Sequence, residues 1–169
     1  MTNTLTTIRK KTTNNNRKST RRIYFGSHIF FLSYTIINLM KRFHFNSLKS
    51  THVYAKNYCK NLPYPITLIT TDFQTNGIGT KNTSWIAPKN SSLLASIIYK
   101  TPRREILPLL SKTFSLSIIH SLLPFNLPIQ FKYPNDLLIN NKKLSGVLTE
   151  ICHEKTITSF GLNLFPNQF

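Results

Sequence analysis

Four short stretches of the chain hold residue types able to do chemistry. Gly77-Ile78-Gly79-Thr80-Lys81 follows a β-branched run. Two glycines there let backbone N–H groups come close to an anionic ligand, with a cation beside them. The stretch lacks the Gly-Lys-Ser/Thr ending of a phosphate loop, and Asn82 stands where a dinucleotide fingerprint has its third glycine. By itself it reads more readily as a plain flexible turn. In Lys132-Tyr133-Pro134-Asn135-Asp136, the proline bars helix and ladder bonding, so the chain turns. Lys132 and Asp136 then either flank the turn as an ion pair or point together into a cleft. In the third stretch, Lys142 to Glu150, strand alternation sends Lys143, Ser145 and Val147 to one face and Leu144, Gly146 and Leu148 to the other. A glycine inside a strand marks close approach by a ligand or backbone, or a simple bulge. Gly161-Leu162-Asn163 is the fourth, and alone it says little.

The elements that must position these residues follow from pattern. Ser50 or Thr51 is expected to cap a helix running to about Cys59. Ile66–Thr71 alternates and is β-branched, hence a strand; a polar loop spans Gln74 to Asn82. Leu93–Tyr99 reads as a central strand. Ile106, Leu109, Leu110, Phe114, Ile118 and Leu122 line one face of a helix over Glu105–Leu123, with Pro108 tolerable only in its first turn. Four strands are expected after it: Ile129–Tyr133, Leu137–Ile139, Leu144–Ile151 and Thr156–Leu164. Asn140-Asn141 signals the hairpin between the second and third, because asparagine tolerates positive φ. The fold class expected is α+β, a mixed or antiparallel sheet with helices packed on one face.

Charge and cysteine usage bound the rest. The 169 residues carry 22 Lys+Arg against 5 Asp+Glu, a formal +17. Seven of the basic residues and no acidic one fall in residues 1–39, which leaves +10 on the remainder. Such a surplus favours anionic partners or merely solvates the surface. Residues 1–22 are polar and Thr/Asn-rich and are expected to be disordered. A basic run followed by the apolar stretch Ile23 to Met40 resembles a targeting signal or a single membrane anchor. His28, Ser33, Thr35 and Asn38 interrupt it and it is short for a bilayer span, so membrane association is the less favoured expectation. Residues 1–40 are therefore read as a basic N-terminal extension or an over-extended reading frame, with the domain at 41–169. Cys59 and Cys152 are far apart in sequence and suggest neither a zinc ligand set nor a disulfide framework; a reducing, cytoplasmic setting is expected.

Singly the four stretches are ordinary, but their order is not. Ser50-Thr51-His52, then Gln74, Gly77, Gly79 and Trp85, then Lys132-Tyr133-Pro134-Asn135-Asp136, Lys143-Leu144-Ser145-Gly146-Val147-Leu148-Thr149-Glu150 and Gly161-Leu162-Asn163 resemble, in sequence order, the catalytic domain of biotin protein ligases. The likeness runs from about residue 43 to the end. The family has Asn where this chain has His52, and Trp where it has Tyr133. The resemblance implies a fold like that of class II aminoacyl-tRNA synthetases and biotin protein ligases. It also implies an ATP-dependent ligase that makes biotinyl-5'-AMP and passes biotin to a lysine of a biotin carboxyl carrier protein, the acetyl-CoA carboxylase subunit. Biotin would be bound by Ser50, Thr51, His52, Gln74, Gly77, Ile78, Gly79, Thr80 and Lys143. Gly79, Trp85, Lys132 and Asn163 would bind nucleotide. Lys143, Lys132 and Asp136 would carry catalysis, with Mg²⁺ accompanying ATP and no metal held by the protein itself.

Two departures bear on this. Ile78 and Thr80 replace the family's loop arginines, which implies weaker retention of the adenylate, with Lys81 the available partial substitute. The family's domain also continues beyond Gly-x-Asn, so the domain is expected to be incomplete at its C-terminus, and a decayed, inactive remnant is one outcome. No helix-turn-helix precedes it, so no specific DNA binding is expected; oligomeric state stays open. A lipoate or octanoate ligase of the same fold is the nearest alternative, and Gln74 with the Pro134-Asn135-Asp136 turn favours biotin. A basic nucleic-acid-binding protein is the alternative from another class, but only residues 9–22 approach the basic pattern it needs.

Overall fold

Six residues, Ile66–Thr71, alternate half-buried and buried, and they form β2, which sits second from the edge of a seven-stranded sheet. In a computed structural model of the chain, residues 39–61 and 63–165 are described, apart from the side chains of Asn82 and Arg104. The expected extension and its apolar stretch lie outside the described residues as far as residue 38. The chain divides between Leu39 and Met40, and the unit from Met40 onward is described here. Its first strand, β1 (Met40–Phe45), pairs parallel to β2 and was not expected from the sequence.

A helix, α1 (Thr51–Tyr58), follows with Ser50 at its N-cap, as the sequence suggested. Two further pairs of residues, Gly77–Ile78 (β3), inside the stretch expected to be loop, and Ser84–Trp85 (β4), just beyond it, make a separate small hairpin. β5 (Ser92–Lys100) runs antiparallel to β2. The second helix, α2, spans Leu110–Leu122 and not Glu105–Leu123. A 3₁₀ segment, Arg104–Leu109, precedes it and contains Pro108, whose missing N–H and fixed φ suit a tight lead-in better than a regular turn. Ile106 and Leu109, expected on the helix's inner face, are exposed. Four strands end the fold: β6 (Ile129–Lys132), β7 (Asp136–Ile139), β8 (Lys142–Cys152) and β9 (Lys155–Asn163). Asn140 and Asn141 make the β7–β8 turn with φ of 50° and 61°. The sheet order is β1-β2-β5-β9-β8-β7-β6, antiparallel except for the β1–β2 pair.

The α+β class and the mixed sheet hold, and the two helices take opposite faces of it. Ala55 and Cys59, one turn apart on α1 and its C-cap, pack with Ile69, Ile98 and Ile157. Phe114, Ile118 and Leu122 of α2 pack with Leu137, Leu144, Val147, Phe160 and Leu162. Ile157 and Phe160 are three apart on β9 and so point to opposite sides. Each fully buried isoleucine in the α1 cluster contributes roughly 1.5–3 kcal/mol relative to exposure. β9 is therefore buried on both faces, with Thr156, Ile157, Thr158 and Ser159 all below the surface.

Cys59 and Cys152 correct the cysteine reading. They are separated by 93 positions yet bonded as a disulfide, joining the end of α1 to the end of β8. Sequence separation is no guide here, because the β8–β9 hairpin folds back over the helix C-terminus.

Candidate active site

The site is assembled where the N-terminus of α1 meets the face of β8 and β9. Ser50 is extended (φ −160°, ψ 135°) and its Oγ accepts from the Val53 N–H, 3.5 Å away, so the helix starts there. The strand of chain before it runs beside Gln74: Thr75 and Asn76 donate their N–H groups to the Leu48 and Lys49 carbonyls at 2.9 and 2.8 Å. That register brings the Gln74 carboxamide over the first turn, where its Oε1 accepts from the Thr51 N–H (2.7 Å) and the Thr51 Oγ1 (3.1 Å). Gln74 thus satisfies one of the donors that a helix start leaves open.

The glycine stretch works by close approach. A Cβ at Gly77 would lie 2.5 Å from the Trp85 carbonyl oxygen and 2.7 Å from Gln74 Nε2. Gly79 donates its N–H to the Thr83 carbonyl at 2.7 Å, so that donor serves the hairpin and not a ligand. The turn at Thr80–Asn82 is closed by Lys81 in the left-handed region (φ 54°, ψ 33°) and by Thr83 Oγ1 donating to the Thr80 carbonyl at 2.9 Å.

The floor is made of two glycines facing each other across β8 and β9, Gly146 and Gly161. The Trp85 indole lies on Gly161: a Cβ there would be 2.3 Å from two of its ring carbons. Trp85 Nε1 is buried with no hydrogen-bond partner among the described residues. Lys143 reaches over the same ring, its Nζ 5.5 Å from the centroid, and pairs with Asp136 at 2.9 Å. Gly146 makes room for that pair, since its Cβ would come within 2.9 Å of Lys143 Cε and 3.1 Å of Asp136 Oδ1. The expected alternation fails at this point. The register between β7 and β8 shifts at Leu137/Leu138, a bulge that skips Leu144. Lys143 therefore shares a face with Gly146, while Leu144 joins Val147 under α2. Behind the pair, Asn135 is buried next to a cis Tyr133–Pro134 bond, and its Nδ2 donates to the Val147 carbonyl at 2.7 Å.

A buried polar chain closes the far wall. His52 is 4% exposed and uses both ring nitrogens, Nδ1 with Ser159 Oγ at 2.8 Å and Nε2 with Glu150 Oε2 at 2.9 Å. Ser159 continues to Ser96 at 2.7 Å. The Lys56 ammonium hydrogen-bonded to Glu150, aided by His52, holds the Glu150 carboxyl below its ordinary value against the opposing effect of burial.

One cleft, about 420 Å³ with its open mouth included, gathers most of the sequence candidates. Ser50, Thr51, His52 and Gln74 line one side, Ile78, Gly79, Thr80 and Trp85 a second, Asp136 and Lys143 a third. Three candidates lie elsewhere. Gly77 is buried behind Gln74 and Trp85. Lys132 is exposed on edge strand β6; it sits opposite Asp136 in register, but Asp136 pairs with Lys143 instead. Asn163 is buried past Gly161 at the end of β9, accepting from Ser92 Oγ and donating to the Lys143 carbonyl, both at 2.8 Å, so it braces Lys143 through the backbone. The cleft also takes Asn135, Gly146, Leu148, Ser159 and Gly161. The signal for the last two was available in the β8–β9 register, because residues opposite Gly146 and Leu148 share their face.

Residues 44–166 match the model of the Biotin/lipoate A/B protein ligase family. The chain is 30% identical over 136 residues to the bifunctional ligase/repressor BirA of Bacillus subtilis, covering 72% of this chain and 40% of that one. It is 28% identical over 109 residues to the chloroplastic biotin–protein ligase 1 of Arabidopsis thaliana, covering 60% and 29%. The chain thus spans well under half the length of these relatives. Among solved structures, biotin protein ligase from Aquifex aeolicus in complex with biotin and ATP is similar at 29% identity and a TM-score of 0.65, over 73% of this chain and 52% of that one. The Leishmania major enzyme in complex with biotinyl-5-AMP shares the fold at 21% identity and a TM-score of 0.66, over 73% and 57%.

Proposed function

We infer the activity from one premise: the chain belongs to the Biotin/lipoate A/B protein ligase family. The reading is that it activates biotin with ATP to biotinyl-5'-AMP and passes the biotinyl group to a lysine of a biotin carboxyl carrier domain. The names of its relatives support biotin as the acid, and the Aquifex aeolicus structure, which holds biotin and ATP, supports the nucleotide. The observation that carries the reading is Lys143, ion-paired with Asp136 and lying over Trp85, at the mouth of a cleft whose other side is Thr51 and Gln74.

Each side chain then has a physical task. Hydroxyl and carboxamide groups at Ser50, Thr51 and Gln74 suit a ureido ring, which has fixed donors and one acceptor. The carboxylate of biotin attacks the α-phosphorus of ATP, displacing pyrophosphate, so two anions must be brought together. The Lys143 ammonium offsets that repulsion, and its 2.9 Å ion pair with Asp136 keeps it aimed. Trp85 forms an apolar wall with one unused donor, Nε1, facing Gly161. In the second step the carrier lysine amine attacks the anhydride carbonyl, AMP leaves, and the amine proton goes to solvent or to a base on the carrier side. Mg²⁺ fits the protein poorly. The carboxylates near the cleft, Asp136 and Glu150, are engaged by Lys143 and by Lys56 with His52, so the cation would enter on the triphosphate. Ile78 and Thr80 at the cleft edge offer no cation to the adenylate, consistent with brief retention.

The test is incubation with ATP, Mg²⁺, biotin and a carboxyl-carrier domain, read by avidin blot, with Lys143→Ala and with lipoate and octanoate as competing acids. Biotin transfer that is lost in Lys143→Ala is expected. A folded protein that binds neither biotin nor ATP would overturn the reading.

A further inference from the structure

At the opposite end of α1 from the cleft, a second cluster of donor atoms converges. Cys59 Sγ, Cys152 Sγ and an imidazole nitrogen of His153 all lie within 4.8 Å of one another. Cys59 is the C-cap of α1, Cys152 ends β8, and His153 is held in the turn to β9 at a left-handed φ of 57°. We propose that Cys59, Cys152 and His153 form a site for a thiophilic divalent cation of the zinc class, of which the bonded cysteines are the oxidised form.

Geometry and donor chemistry support this. Tetrahedral zinc, with bonds of about 2.3 Å to sulfur and 2.0 Å to nitrogen, sets its ligand atoms ~3.3–3.8 Å apart. The three donor atoms, all within 4.8 Å of one another, converge on the region such a cation would fill once the sulfurs are reduced. The two Cα atoms are 6.8 Å apart, at the wide end of the ~4.4–6.8 Å that disulfides bridge, and a span that a pair of metal-bound sulfurs fills readily. Cys59 is fully buried and Cys152 nearly so, which shields the sulfurs, while His153 is exposed and opens the fourth position to a cleft that Glu154 also lines. Lys60 lines the same cleft. Two sulfur donors and an imidazole select a thiophilic cation over Mg²⁺ or Ca²⁺, which take oxygen ligands.

The chemistry balances with a small thiol and its disulfide as reductant and oxidant. A small-molecule disulfide takes two electrons and two protons from the cysteine pair, forming the protein disulfide and two thiols. The reverse exchange restores both thiols, which release two protons as they bind the cation. The site draws on no residue of the ligase cleft, so it stands whatever that cleft binds.

The experiment is a cobalt(II) titration of the full chain after reduction and removal of reductant. One equivalent should bind, with a thiolate-to-cobalt charge-transfer band in the near ultraviolet, displaced by Zn²⁺ and untouched by excess Mg²⁺. Cys59→Ser, which leaves one of the two thiolates, should at least halve the band. His153→Ala, at an exposed turn and so able to fold, should weaken binding by at least ~10-fold. Absence of the band in reduced wild type, or cobalt affinity unchanged in His153→Ala, would overturn the proposal.

Discussion

The contact between Trp85 and Gly161 gives a sharp test of how the cleft is built. Replace Gly161 with alanine. The new methyl would lie 2.3 Å from two ring carbons of Trp85 and 2.9 Å from its Nε1. An ordinary carbon–carbon contact is about 3.5–4.0 Å, so the indole must retreat by roughly 1.2–1.7 Å. Overpacking of this kind costs about 1–3 kcal/mol. Gly161 does not have positive φ, so alanine fits the backbone and returns about 0.4–1 kcal/mol by restricting the unfolded chain. The expected net loss is therefore on the order of 1–2 kcal/mol, read by urea unfolding. In a Trp85→Ala background the obstacle is gone, and Gly161→Ala should become neutral or slightly stabilising, a coupling of about 1–3 kcal/mol. Trp85 is the chain's one tryptophan, so its emission reports the displacement directly and should shift to the red as the buried Nε1 meets water. Ligase turnover should fall about 100-fold, since a wall displaced by more than an ångström misplaces the reacting groups. An equal stability loss in both backgrounds, with unchanged emission, would refute this account of the floor.

Three other outcomes follow from the same geometry. Lys143→Gln keeps the chain's reach and removes the ammonium, so ATP–pyrophosphate exchange should drop about 10²–10³-fold. Because Lys143 is 45% exposed, the thermal midpoint should move by only a few degrees. Asn135→Ala leaves the buried Val147 carbonyl without its 2.7 Å donor and should cost about 1–3 kcal/mol in urea unfolding. Glu150 is held below its ordinary pKa chiefly by Lys56, so its contribution to stability is present above the usual carboxylate range and is lost as pH falls through the lowered folded value. Unfolding measured from pH 7 down to pH 3 should show a steeper acid limb in wild type than in Glu150→Gln, modest in size because the pair is partly exposed.

Local chemistry was legible where one residue dominates its own backbone. Ser50 capped α1, Asn140 and Asn141 took the positive φ their hairpin needs, and the alternation of β2 named its buried face. These depend on short-range sterics and hydrogen bonding, which the chain carries with it. Pro108 was legible in part: it predicted a constraint at the helix start, and the structure resolved it as a 3₁₀ lead-in. The type and order of the cleft residues were likewise readable, since Thr51, Gln74, Trp85, Asp136 and Lys143 are motif members in the sequence itself.

What tertiary structure alone decided is which of those residues touch. A single bulge at Leu144 turned Lys143 toward Asp136 and Gly146, while Lys132 stays exposed on the edge strand. Strand parity predicted the opposite, because it assumes an unbroken ladder. The parallel pairing of β1, the division of the helices between faces, and the meeting of Cys59 with Cys152 all join segments more than twenty residues apart. Such contacts are chosen by the burial of whole faces against one another, a property of the assembled sheet that no local window of sequence contains.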